Sequence, residues 1–118
     1  MAKILMEDDI EFEAVEWGFT KEIIAPNTVG SQRLIVKITE FLPGYIHERH
    51  THTDQEEVIY VLSGQGMAKT VEEEKEIGPG SVVFLPAAEP HTIWNKSQTE
   101  SLKTIIIKSL PDDEAVRV

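Results

Sequence analysis

The chain has 118 residues, 21 of them acidic, 11 basic and none cysteine, with 41% apolar residues and a formal net charge of −10. That is the size and balance of one ordinary domain able to bury roughly 65% of its unfolded surface without staples. The missing cysteines exclude disulfides, thiolate zinc sites and a cysteine nucleophile. The negative charge opposes nucleic acid, whose phosphates need clustered Lys and Arg. The apolar runs Val58-Ile59-Tyr60-Val61-Leu62 and Val82-Val83-Phe84-Leu85, the latter followed by Pro86-Ala87-Ala88, fall far short of the ~20 residues that cross a bilayer. Lys3 precedes just Ile4-Leu5-Met6 before Glu7-Asp8-Asp9, which makes no signal-peptide stretch. No membrane partner is expected, and the protein is placed in the cytoplasm.

Residues 1–16 read as an acidic arm. Within it Ile10, Phe12 and Ala14 alternate as in a strand while Ile10, Ala14 and Trp17 sit at helical spacing, so the period does not choose. Its acids are read as a solvated face. Strands are expected at 17–25, 32–42, 57–63, 66–71, 81–85, 90–94 and 101–110, where apolar and polar residues alternate and Gly or Pro bounds the run. In 32–42, Leu34, Val36 and Ile38 are assigned to one face and Arg33, Lys37 and Thr39 to the other, with Pro43-Gly44 closing the strand. The run Glu72-Glu73-Glu74-Lys75-Glu76 reads as the polar tip of a hairpin, and Asp112-Asp113-Glu114 as a solvated tail. About seven short strands at regular spacing give an all-β sandwich or barrel, with no repeat or linker to divide it. In 57–63 both faces are apolar, Ile59 and Val61 against Val58, Tyr60 and Leu62. In 101–110 Leu102, Ile106 and Leu110 oppose Ile105 and Ile107. Two apolar faces ask for cover on both, and a homodimer is expected to supply it.

The chemistry-bearing residues cluster. His50 and His52 stand at i and i+2, so a strand can present both imidazoles to one point. Glu57 opens the following strand on the face of Ile59 and Val61, and His91 comes after a gap. Three imidazoles and a carboxylate suit Mn, Fe, Co, Ni, Cu or Zn, whereas Ca and Mg prefer oxygen throughout. A bare HxH in a polar loop is also common on protein surfaces. His47, three residues before His50, falls off its face in a regular strand and is read as a rim residue. Glu56 points away from Glu57 and is read as an exposed acid, and Trp17 and Trp94 as packing residues.

The order Gly44, five residues, His50-Thr51-His52, four residues, Glu57, six residues, Gly64, and then Gly80, five residues, Pro86-Ala87-Ala88, two residues, His91, three residues, Asn95 resembles the two motifs of the cupin family, at 44–64 and 80–95. The resemblance implies one domain over 1–118, a double-stranded β-helix or jelly-roll barrel with a divalent transition metal in its lumen. Carried over position by position, it implies His50, His52, Glu57 and His91 as metal ligands. Gly44, Gly64, Gly80, Pro86 and Asn95 become turn residues, and two coordination positions stay open for water or substrate. One departure is visible: the family usually has Gly where Ala88 stands, so the turn before His91 is expected to differ locally.

What a cupin of this size implies is a metal-dependent enzyme on a small anionic or enolisable metabolite, with Mn, Fe, Ni, Zn or Co as the cofactor. Dioxygenase-type chemistry is the preferred reading and rests on family analogy. Sugar or uronate isomerase and cyclase chemistry is the alternative, and a non-catalytic sugar-binding module is a third reading. Cupin sensing domains commonly sit beside a DNA-binding domain, for which 118 residues leave no room.

Overall fold

The computed structural model describes the backbone of residues 1–44, 46–51, 54–110, 116 and 117, and the side chains of 1–44 and 54–110. Each expected strand is present: β2 (Gly18–Ile24), β3 (Leu34–Phe41), β5 (Glu57–Ser63), β6 (Gly66–Lys69), β8 (Val82–Leu85), β9 (His91–Asn95) and β10 (Leu102–Ser109). Four further strands are β1 (Glu13–Val15), β4 (Ile46–Thr51), β7 (Glu74–Ile77) and β11 (Val116–Arg117). The region whose period did not choose holds a 3-10 turn at Glu7–Asp9 and then β1. Glu74 to Glu76 belong to β7, and the hairpin tip is 70–73, closed by the Thr70 N–H donating to the Glu73 carbonyl at 2.8 Å. Residues 112–114 lie outside the described residues.

The strands form two antiparallel sheets, six strands in the order β1-β2-β3-β10-β5-β8 and five in the order β11-β4-β9-β6-β7. From β3 onward the chain crosses repeatedly between them: β3, β5, β8 and β10 lie in the first, β4, β6, β7, β9 and β11 in the second. This is a jelly roll, and it puts one face of every such strand against the opposite sheet.

The core is Phe41, Ile59, Val61, Ala68, Ile77, Leu85, Ile93, Leu102 and Ile106, all buried, with Trp17 and Val83 packed on it. Each large side chain removed from water here contributes about 1.5–3 kcal/mol. Trp17 stacks on Phe41 with ring centroids 4.8 Å apart, as its packing role requires. On β5, Glu57, Ile59 and Val61 are buried while Tyr60 and Leu62 stay exposed.

The two faces assigned in β3 are present, and burial identifies the inner one. Ile35, Thr39 and Phe41 are each 1% exposed, whereas Leu34 is 52% exposed. The inward positions are the odd ones. Thr39 is tolerated there because its hydroxyl meets that of Thr20 at 2.9 Å and its carbonyl accepts from the Thr104 hydroxyl at 3.1 Å. Ile38 is buried on the other side, where residues 7–12 lie over its register partner Lys21. The Lys21 ammonium donates to the carbonyls of Glu7 (2.9 Å) and Ile10 (3.2 Å), pairs with the Glu7 carboxylate at 3.3 Å and sits 4.4 Å from the Phe12 ring centre. Among the acids of the arm, Glu7 is thus tied to the sheet; Asp8, Asp9, Glu11, Glu13 and Glu16 are exposed.

Candidate metal centre

Glu57 is the first residue of β5, on the parity that buries Ile59 and Val61. His91 is the first residue of β9, in the opposite sheet, 2% exposed and on the parity of Ile93 and Asn95. The two side chains meet across the barrel, with His91 Nε2 3.8 Å from Glu57 Oε2. His91 Nδ1 lies 3.1 Å from the Glu89 carbonyl oxygen. A carbonyl can only accept, so Nδ1 carries a proton, and Nε2 is the ring nitrogen turned toward Glu57.

The turn that supplies this carbonyl runs from Pro86 to Glu89, whose N–H donates to the Pro86 carbonyl at 3.3 Å. Within it Ala88 has φ 68°. The turn therefore keeps a left-handed residue although alanine occupies it, at a cost of about 1–2 kcal/mol. Gly44, Gly64 and Gly80 have φ of 79°, 92° and 87°. At Gly64 a Cβ would also run into the Ser101 carbonyl oxygen and lie 2.9 Å from the Leu102 Cα. Asn95 is a turn anchor: its amide donates to the carbonyls of Phe41 (2.9 Å) and Glu100 (2.6 Å), and its oxygen accepts from the Ser97 N–H at 2.8 Å.

Of the four residues that the resemblance implies as ligands, Glu57 and His91 are brought together. His50 lies in β4 as the direct register partner of His91, with its side chain outside the described residues. His52 lies outside them altogether. The regular-strand premise applied to His47 is corrected: the register shifts between His47, opposite Ile93, and His50, opposite His91. Two residues on β4, 48 and 49, thus answer the single Thr92 on β9, as in a β-bulge. Glu56 is exposed, as read.

Two residues near the site were not singled out from the sequence. Lys108, the β10 register partner of Glu57, has its ammonium 3.9 Å from Glu57 Oε1 with its side chain 13% exposed. Its parity with Leu102 and Ile106 was the available signal. Gln55, 2% exposed, donates from Nε2 to the Ser109 carbonyl at 2.9 Å; no pattern in the sequence marks it.

The donors fit a transition metal. The 3.8 Å between Nε2 and Oε2 is shorter than two metal–donor bonds laid end to end, about 4.2 Å, so one ion can touch both. A neutral imidazole nitrogen and a carboxylate are borderline donors of the kind that such metals take.

A model of the cupin domain matches residues 37–108, both candidate motifs included. The chain belongs to the cupin family. This cupin is 28% identical to the auxin-binding protein T85 of Nicotiana tabacum in an alignment 105 residues long that covers 80% of the chain and 56% of that protein. It thus spans about half the length of the curated relatives it matches most broadly. The polyketide cyclase RemF from Streptomyces resistomycificus superposes with a TM-score of 0.85 at 22% identity, over 100% of this chain and 86% of that one. Oxalate decarboxylase of Bacillus subtilis, whose Mn(II) centres have been studied, superposes at 0.77 with 19% identity, over 94% and 31%. At these identities the solved structures establish the shared barrel. Among the described residues no helix is long and apolar enough to cross a membrane.

Proposed function

We propose that this cupin is a metal-dependent enzyme acting on a small anionic or enolisable molecule, with His50, His52, Glu57 and His91 holding a divalent transition metal. The observation that carries the reading is the burial of Glu57 and His91, from opposite sheets, within reach of one ion. A fold that needs stability alone has no use for a carboxylate and an imidazole turned toward each other inside its barrel. When bound, such a metal polarises a substrate oxygen, activates water or joins substrate to dioxygen. The Glu89 carbonyl holds His91 in one tautomer and orients its ring. Lys108 beside Glu57 adds positive charge to the inner face and favours an anionic substrate. The names of T85 and RemF, auxin-binding protein and polyketide cyclase, denote proteins that take small organic molecules, in keeping with this class.

Metal content by plasma mass spectrometry, on protein purified without a His-tag, tests the reading. Near-stoichiometric metal is expected in the wild type and its loss in His52→Ala and His91→Ala, with the metal-free proteins still folded. Iron would direct the search to dioxygenase chemistry, read as oxygen uptake with diketone, flavonol or catechol substrates, and zinc or nickel to isomerase or cyclase chemistry. Imidazoles bind metal when neutral, so metal should leave as the pH falls below their ordinary pKa of about 6.5. Metal retained through dialysis at about pH 4.5, or none taken up after anaerobic reconstitution with Fe, Mn, Ni or Zn, overturns the assignment.

The homodimer belongs to the same proposal. Its support is the outer face of the six-stranded sheet, where Leu34, Tyr60 and Ile107 are 52%, 41% and 37% exposed around half-buried Val36, Val58 and Ile105. A monomeric mass by light scattering at micromolar concentration removes it.

A further inference from the structure

The two sheets part between β7 and β8, each the last strand of its sheet among the described residues. The chain passes from one to the other through Gly78-Pro79-Gly80-Ser81, and a cleft of about 550 Å³ opens alongside. Ala68, Ile77 and Val83 form its apolar floor, and Glu72, Glu73 and Glu89 stand on its lining.

The two strands beside this cleft differ as edges. β7 reads Glu-Lys-Glu-Ile, with charges that discourage pairing, as exposed edges normally carry. β8 reads Val-Val-Phe-Leu, with no charge, and its Val82 and Phe84 are 62% and 56% exposed. The direction of its backbone groups follows from the ladder. Val61 accepts from the Gly80 N–H and donates to the Ser81 carbonyl, both at 3.0 Å, and Ile59 and Glu57 stand opposite Val83 and Leu85. Hydrogen-bonding direction alternates along an antiparallel strand, so Val83 and Leu85 bond to β5 while the N–H and C=O groups of Val82 and Phe84 face the open side.

We propose that the β8 edge docks an extended segment of another protein that alternates apolar with basic residues, added as a seventh strand of the larger sheet. Main-chain bonds from Val82 and Phe84 supply the ladder, the cleft floor takes the apolar side chains, and the glutamates receive the basic ones. Charge selects this occupant over a second copy of the chain. Pairing β8 with β8 of an identical molecule of net charge −10 would bring two glutamate rims together. Among the described residues of the lining, Lys75 is the one cation. Glu76, also lining the cleft, is bonded by the Lys96 ammonium, which holds its carboxyl below the usual range. The proposal is independent of the metal reading.

The probe is a fluorescein-labelled nonapeptide of alternating Lys and Val with blocked ends, titrated into the full chain. Binding is expected, and it should weaken by about tenfold when two backbone amides on one edge of the peptide are N-methylated, which keeps charge and apolarity but removes the ladder. The same loss is expected in Val82→Pro, whose N–H serves no bond to β5, and in the triple reversal Glu72→Lys, Glu73→Lys, Glu89→Lys, each with an unchanged melting temperature. Equal binding of the N-methylated peptide would mean charge attraction alone and overturns the proposal. So would no binding up to millimolar peptide, or a self-dimer that Val82→Pro dissociates and the peptide does not disturb.

Discussion

At one end of the barrel β3, β5 and β10 contribute Phe41, Val61 and Leu102, none more than 1% exposed. At the other end the same strands contribute Ile35, Glu57 and Lys108, which are register partners in one row, and β9 adds His91 from the facing sheet. The strands, their pairing and the inward parity are shared; the side chains at the inward positions differ. Apolar side chains at the first end gain from leaving water. A carboxylate, an ammonium and an imidazole at the second lose hydration and recover it through one another. The packed end supplies stability, and the polar groups at the other end are placed by the register of the strands that carry them.

A truncation in the packed end gives the largest effect that separates the two. Leu102→Ala should cost about 3 kcal/mol in urea unfolding of the metal-free protein, the range for a buried leucine whose neighbours cannot close the gap. Added metal should still stabilise this variant by the wild-type increment, about 2.7 kcal/mol at a hundredfold excess over Kd. If Leu102→Ala abolished the metal increment while remaining folded, the two ends would not be separable.

What the sequence made legible follows the same division. The limits of β5 and the inward position of Glu57 were readable because Ile59 and Val61 alternate without interruption. His91 was readable because the second motif keeps its spacing. In β3 the inward face was not legible because two of its positions carry Lys37 and Thr39. Thr39 is buried through hydrogen bonds to Thr20 and Thr104, partners that come from β2 and β10 and that no local pattern announces. Lys108 escaped for a related reason: a lysine looks like solvent-facing punctuation until its register partner proves to be a glutamate. The register shift between His47 and His50 was equally invisible, since a bulge is set by pairing with another strand. The β8 edge was visible in the sequence as the uncharged run Val82-Val83-Phe84-Leu85, but which strands end their sheets is a property of topology.

A smaller effect probes how the turn before His91 serves the polar end. Ala88 holds a left-handed conformation three residues before His91, whose ring bonds the Glu89 carbonyl. Ala88→Gly removes about 1–2 kcal/mol of backbone strain and returns about 0.4–1 kcal/mol of chain entropy to the unfolded state. The net expectation is a gain of about 0.5–1 kcal/mol, read as a rise of about 3 °C in the melting temperature of the metal-free protein. Metal affinity should not change, because glycine keeps the same φ and leaves the Glu89 carbonyl where it is. Ala88→Val should do the reverse on both counts. A β-branched residue resists positive φ more strongly, so the turn would open, the Nδ1 bond would loosen and metal affinity would fall along with stability. If valine lowered stability but left metal binding intact, the His91 ring would be oriented by the barrel wall, and the Glu89 carbonyl would follow it.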